Sequence, residues 1–171
     1  MSDLQSRRDT SVPTPGRLFL VFRIGEQRFA LDTHEVVEVL PRLPLKPIAH
    51  TPRWVAGVLA HRGALVPVID VGDLGFGTPA PLRTSTRLVL VNYRGQAQAE
   101  PQLLGLILQQ ASDTLRCHPD EFRPYGVDNH QAPYLGPVRE DAQGLMQRIS
   151  VQDLLTDQAR ALLYPPVEVQ P

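Results

Sequence analysis

The sequence predicts an all-β protein with short helices, built as two similar lobes. Three observations lead there. Prolines number 17 in 171 residues, about twice the usual ~5%, and they are dispersed, so long helices have no room except near the C-terminus. Phe, Trp and Tyr make up only 6% of the chain, so the core is aliphatic and carried in short runs. Those runs also repeat. Residues 54–74 shifted by 80 fall on 134–154, with Trp54 on Tyr134, Val58 on Val138, Leu65 on Leu145 and Ile69 on Ile149. A shift of 75 sets Phe29-Ala30-Leu31 on Leu104-Gly105-Leu106. Two lobes, each closed by a short helix, account for the repeat, and the cleft between them is the default binding site.

In chain order, residues 1–16 are polar, with Pro13, Pro15 and Gly16 before the first apolar run, and read as a disordered leader. Leu18 to Ile24 is a buried strand, and Gly25-Glu26-Gln27 turns the chain into a second, Arg28 to Asp32. Asp32 or Thr33 is placed to cap a short helix through Leu40, because Val36, Val39 and Leu40 recur at helical spacing. Pro41, Pro44 and Pro47 end it, and an extended crossing runs to His50. Trp54 to Ala60 and Ala64 to Val71 form a strand pair around His61-Arg62-Gly63.

Gly75 to Arg83 reads as a linker, which puts lobe 1 at about 17–83 and lobe 2 at about 84–164 of a single domain. Lobe 2 has strands at Leu88–Val91 and Leu103–Leu108 around a long polar loop, Asn92 to Gln102. Residues 118–133 look irregular, and Leu145 to Ile149 is a strand. Ser150 with Asp153 starts a helix that runs to about Leu163 and buries Leu154, Leu155 and Leu162 on one stripe. Residues 165–171 are expected to be a flexible tail.

Composition narrows the chemistry. Lys+Arg 17 against Asp+Glu 18 leaves a formal charge of -1, so nothing global favours nucleic acid or an anionic membrane. No stretch approaches the ~20 apolar residues of a membrane span, and Met1 to Gly16 lacks the layout of a secretory signal. A single cysteine, Cys117, excludes an internal disulfide and fits a reducing, cytoplasmic setting. His34, His50, His61, His118 and His130 show no metal-ligand spacing. Gly72 to Gly77 is glycine-rich but carries no Gly-Lys-Ser/Thr, so it cradles no phosphate. Cys117 and His118 are adjacent, hence on opposite faces of a strand, which favours a buried thiol over a nucleophile and base. No metal, cofactor or catalytic set is expected, and a hydrolase using Cys117/His118 is the weakest alternative. Arg62 stands apart, because a rigid hairpin presents it.

FLVFRIGEQRFALDTHEVVEVL (19–40) and TPRWVAGVLAHRGALVPVIDVGDL (51–74) resemble CheW-type chemotaxis coupling proteins. Those proteins show a strand, a V-E-V segment and the pattern G-V-x-N-L-R-G-x-x-x-P-V-x-D-L. The resemblance runs from residue 18 to about 163 and is sharper in the first half. It implies two SH3-like five-stranded β-barrel lobes around a shared hydrophobic centre, plus a C-terminal helix. It also implies a non-enzymatic adaptor that is cytoplasmic, recruited to membrane receptor arrays, and inserts into no membrane. Such an adaptor joins a chemoreceptor's cytoplasmic tip to the regulatory domain of a CheA-type histidine kinase.

Position by position, the resemblance puts Val36, Glu38, Gly57, Val58 and Arg62 in the receptor groove, with Leu88, Ala111 and Thr114 across it. Ala56 and Leu65 are implied to face the kinase, and Phe122 and Arg123 to form a second kinase contact that helps close rings. Ala60-His61 replaces the family's Asn-Leu, and Ala111 and Thr114 replace valine-like residues. These departures fit a divergent member, matched to its own partners in a chemosensory system that need not drive flagella. A CheW-like module of a different signalling complex is the alternative.

Overall fold

Consecutive apolar residues, as in Leu18–Phe22 and Leu88–Val91, mark strands covered on both faces, and the architecture follows from that. The computed structural model describes residues 16–81, 83–94, 100–126 and 130–165. The expected leader (save Gly16) and tail (save Pro165) lie outside the described residues, as do positions 95–99 of the long loop. The strands are β1 (Arg17–Ile24), β2 (Gln27–Asp32), β3 (Val36–Pro41), β4 (Val55–His61), β5 (Ala64–Asp70), β6 (Arg87–Tyr93), β7 (Gln102–Cys117), β8 (Leu135–Asp141) and β9 (Gly144–Ile149). Two short helices follow β5 and β9: α1 (Val71–Phe76) and α2 (Asp157–Leu163). The all-β expectation with short helices holds.

Two sheets of five strands share one strand. Sheet I runs β7-β1-β2-β9-β8 and sheet II runs β3-β6-β7-β5-β4. The first part of the 16-residue β7 pairs with β6 and β5, from Gln102 to Leu108, and the rest pairs with β1, from Gln109 to Cys117. The changeover lies at Gln110, whose φ of 47° is left-handed. Beside it Ala111 N donates to Ser85 O at 3.0 Å.

The repeat reappears bond for bond. Val68 stands opposite Gly105 in the parallel β5–β7 pair, and the shifts of 80 and 75 carry that pair onto Arg148 opposite Ala30, the observed β9–β2 register. Asp70 N donates to Trp54 O at 2.8 Å, and Ser150 N donates to Tyr134 O at 2.8 Å. Val58 bridges Lys46 as Val138 bridges Arg123.

Three expectations need correction. The lobes do not divide near residue 83. Sheet II is contiguous in sequence from β3 to the first part of β7, whereas sheet I draws β1 and β2 from one flank and β8 and β9 from the other. A repeat says which segments are alike, not which of them pair. The expected helix over 32–40 is only a 3-10 turn at Thr33–Glu35, followed by strand β3. Its residues alternate, with Val36, Glu38 and Leu40 half-buried and Val37 and Val39 exposed, and its three valines favour the pleated state. The last helix does not run unbroken from Ser150 either. Ser150 Oγ donates to the Asp153 carboxylate at 2.8 Å and makes no cap, whereas Thr156 Oγ1 accepts from Ala159 N at 3.1 Å and starts α2. Leu162 is consequently 45% exposed.

Alternating side chains feed separate cores. On β6, Leu88 and Leu90 enter the interior of sheet II, while Val89 and Val91 enter a larger core shared by both sheets. On β2, Phe29 and Leu31 face the shared core, and Ala30 faces the interior of sheet I with Phe19, Phe122 and Met146. Val151, Leu154 and Leu155 complete the shared core. Each fully buried large aliphatic side chain contributes about 1.5–3 kcal/mol.

Candidate functional site

The β4–β5 hairpin turns through Arg62 and Gly63, with φ of 49° and 81°, so a side chain at 62 projects from a fixed tip. Glu38 on β3 reaches it. One carboxylate oxygen meets His61 Nε2 at 3.1 Å and the other meets Arg62 Nη2 at 3.4 Å. Strands β3 and β4 are the two ends of the order in sheet II, so this carboxylate clasps together edges that share no ladder. The clasp grades outward: the side chain of His61 is 14% exposed, that of Glu38 28% and that of Arg62 77%. The His61 that departs from the family pattern therefore has a structural task, holding the inner oxygen of Glu38.

Gly57, at φ 144°, lies where β4 passes the 44–47 segment. A Cβ there would come within 2.5 Å of the Lys46 carbonyl oxygen, so only glycine fits this approach. Val58 beside it exchanges both backbone hydrogen bonds with Lys46, at 2.9 and 3.0 Å. Val36 packs against the shared core.

The other expected positions separate by burial. Leu88 and Ala111 are each 1% exposed, so their side chains support the surface from inside and do not line a groove. Thr114 is exposed, on the sheet I part of β7 opposite Leu20. Of the kinase-facing set, Leu65 is 77% exposed at the start of β5 and Ala56 is half-buried. Arg123 is exposed, but Phe122 is 6% exposed and packs on Phe19 with ring centroids 5.1 Å apart. Phe122 therefore anchors the turn that carries Arg123. In β6, buried on both faces, no alternation lets spacing alone distinguish an outward residue from an inward one, which is why Leu88 was misplaced. Leu145, 63% exposed, is the repeat partner of Leu65; the shift of 80 already paired them, and only its exposure was not legible.

Sheet I has its own charged cluster. Asp32 is 2% exposed and lies 2.8 Å from Arg17, 3.0 Å from His34 Nδ1 and 3.3 Å from Arg148. Burial pushes its carboxyl up, but hydrogen bonds from His34 and Arg17 outweigh that and hold it below the ordinary range. Arg28 grips Asp141 at 2.6 Å and lowers that carboxyl too. Burial raises the Cys117 thiol, while His118 Nδ1 accepts from Asp120 N at 3.1 Å to cap the next turn. The adjacent thiol and imidazole thus serve separate structural ends. Among the described residues no group of three or more His, Cys, Asp or Glu is placed to hold a metal ion. No helix among them is long and apolar enough to cross a membrane.

Two five-stranded sheets fused through one strand, with an ion-paired hairpin at the open side of one, define a β module that presents surfaces on rigid turns. The chain belongs to the CheW-like domain family, whose sequence profile matches residues 18–159. It is 30% identical over 109 residues to a chemotaxis protein CheW of Rhizobium meliloti (strain 1021), a stretch covering 64% of this chain and 66%, just under two thirds, of that protein. It is 25% identical over 153 residues, 88% of each chain, to the chemotaxis protein CheW of Klebsiella aerogenes. Its fold matches the crystal structure of the scaffolding protein TtCheW from Thermoanaerobacter tengcongensis. That match has a TM-score of 0.72 at 22% identity, over 88% of this chain and 94% of the other.

Proposed function

We propose that the chain is a non-enzymatic coupling adaptor, joining the cytoplasmic tip of a chemoreceptor to the regulatory domain of a CheA-type histidine kinase. The carrying observation is that a family member over residues 18–159 exposes Arg62 from a clasped hairpin at the position the family pattern reserves for arginine. A receptor tip offers an amphipathic helical face. The surface meeting it comprises Val36, Glu38, Val58, Arg62 and Thr114, with Gly57 setting its shape and Leu88 and Ala111 backing it. The kinase surface comprises Ala56, Leu65 and Arg123, with Phe122 anchoring the last. Residues 17–164 act as one domain, working in the cytoplasm and recruited to membrane receptor arrays without a cofactor.

Titrating the purified chain against a soluble receptor hairpin and, separately, the kinase regulatory domain tests the reading. Both are expected to bind at tens of micromolar or tighter, the range of transient signalling contacts. A folded protein that binds neither overturns the proposal.

A further inference from the structure

We infer that His61 is a positioning residue for receptor binding: by holding the inner oxygen of Glu38, it keeps the guanidinium of Arg62 free for the receptor helix. The inference rests on the coupling reading, in which Arg62 meets the receptor, and says how this chain readies that arginine.

Glu38 and His61 stand at the mouth of sheet II. Side chains alternate along a strand, so Glu38 shares its face of β3 with Leu40, and His61 shares its face of β4 with Leu59. Leu59 belongs to the core of sheet II and Leu40 packs against it, so the carboxylate lies beside apolar side chains. Its inner oxygen needs a donor there, because a buried acceptor left unpaired is costly. A carboxylate only accepts, so His61 Nε2 is the donor, at 3.1 Å and from a side chain 14% exposed.

The consequence falls on Arg62. With one oxygen of Glu38 taken up by His61, Arg62 meets only the other, through Nη2 and at 3.4 Å. Its guanidinium has no further hydrogen-bond partner among the described residues, and the left-handed backbone at 62 fixes where the side chain starts. Leucine at 61, the residue of the family pattern, offers no donor. Both oxygens of Glu38 then turn to Arg62, in the two-bond fork that guanidinium and carboxylate favour, and the arginine is held by its own chain. The departure at His61 thus moves one bond of Glu38 from the hairpin tip to the strand, and leaves donors at the tip for a partner.

The test uses the full chain with His61→Leu, His61→Gln, Glu38→Ala and the His61→Leu/Glu38→Ala double variant, each titrated against a soluble receptor hairpin. Thermal melts check each fold, and His61→Met, equally without a donor, replaces the leucine variant if that one does not fold. NMR relaxation of the Arg62 Nε–Hε group in the free chain reads how firmly the side chain is held. His61→Leu is expected to weaken receptor binding about threefold, within the range of a screened ion pair, and to make Arg62 more rigid. Gln sets an amide N–H where Nε2 stands, so His61→Gln should match the parent chain on both readouts. In the Glu38→Ala background His61→Leu should cost no further affinity, because residues that act through one another are not additive. A histidine that only stabilised the fold would lower the melting temperature and move none of these. The inference is wrong, and the coupling reading stands, if folded His61→Leu binds the hairpin like the parent chain or leaves Arg62 as mobile. It is equally wrong if His61→Gln loses as much, or if the loss persists without Glu38. A parent chain that binds no receptor hairpin overturns the coupling reading itself, and this inference with it.

Discussion

Replacing Arg62 by Asp reverses the charge at the tip of the β4–β5 hairpin and separates binding from folding. The Arg62–Glu38 contact is 3.4 Å long and joins side chains 77% and 28% exposed. Solvent screens such a pair to about 0.2–1 kcal/mol. The new like-charge contact is screened equally, and Asp accepts the left-handed backbone at 62 more readily than Arg. Glu38 also keeps its inner contact to His61 at 3.1 Å, so the tie between β3 and β4 survives. The net cost is about 0.5 kcal/mol, an ordinary surface change. Receptor binding is expected to fall at least tenfold, which takes about 1.4 kcal/mol, within the reach of one lost charged hydrogen bond. Kinase-domain binding should persist. Urea unfolding followed by circular dichroism gives the stability change, and parallel titrations give the two affinities. Unfolding of the variant would make Arg62 structural, and unchanged receptor binding by a folded variant would remove it from the receptor surface.

Truncation after Ser150 removes Val151, Leu154 and Leu155, which are 0%, 3% and 6% exposed. At about 1.5–3 kcal/mol for each the loss rivals the roughly 5–15 kcal/mol stability of a whole domain, so a cooperative melt at the original temperature would contradict this packing. Asp32→Asn tests the sheet I cluster. Because its folded carboxyl titrates below the ordinary range, the stability it contributes is present above the unfolded carboxylate value, about 3.9, and is lost as pH falls through the lower folded value. The variant should therefore be less stable by about 1.5–3 kcal/mol at pH 7, and a urea-midpoint series should show the two proteins converging in acid; a constant gap would refute it. Gly57→Ala forces a Cβ to within 2.5 Å of the Lys46 carbonyl oxygen at φ 144°. About 1–3 kcal/mol of strain is expected, read as a lower urea midpoint, and a neutral variant would place the glycine's value elsewhere.

What the sequence disclosed and what it hid have physical causes. The repeat was legible because equivalent strands bury the same faces, so Trp54 and Tyr134 end up accepting matching hydrogen bonds from Asp70 and Ser150. The pairing of β2 with β9 was hidden, since parallel partners far apart in sequence leave no local signature. Thr33–Leu40 misled because Val36, Val39 and Leu40 satisfy a helical spacing by chance, while Val37 between them breaks it. In the candidate site, Arg62 was readable from its turn. Leu88 was not, because a residue in an apolar run gives no sign of whether it meets a partner or a core; Ala111 and Phe122 were not, because single apolar residues among polar neighbours gave no sign that the fold buries them at 1% and 6% exposure.

Sharing β7 between the sheets also gives the molecule a timetable. Sheet II needs nothing beyond residue 108, since β3 to the first part of β7 are consecutive. During synthesis it is complete once that stretch has left the ribosome, and domains commonly fold from the N-terminal side as they emerge. Sheet I is held back. β1 and β2 are made first, yet β2 must wait for β9, with Arg28 opposite Met146 and Ala30 opposite Arg148. That interval spans more than a hundred residues, a long loop to close. Meanwhile Phe22, Phe29 and Leu31, destined for the shared core, have only the finished sheet II to lie against. The lobe built from consecutive strands thus becomes the template on which the earlier-made β1 and β2 are parked until β9 arrives.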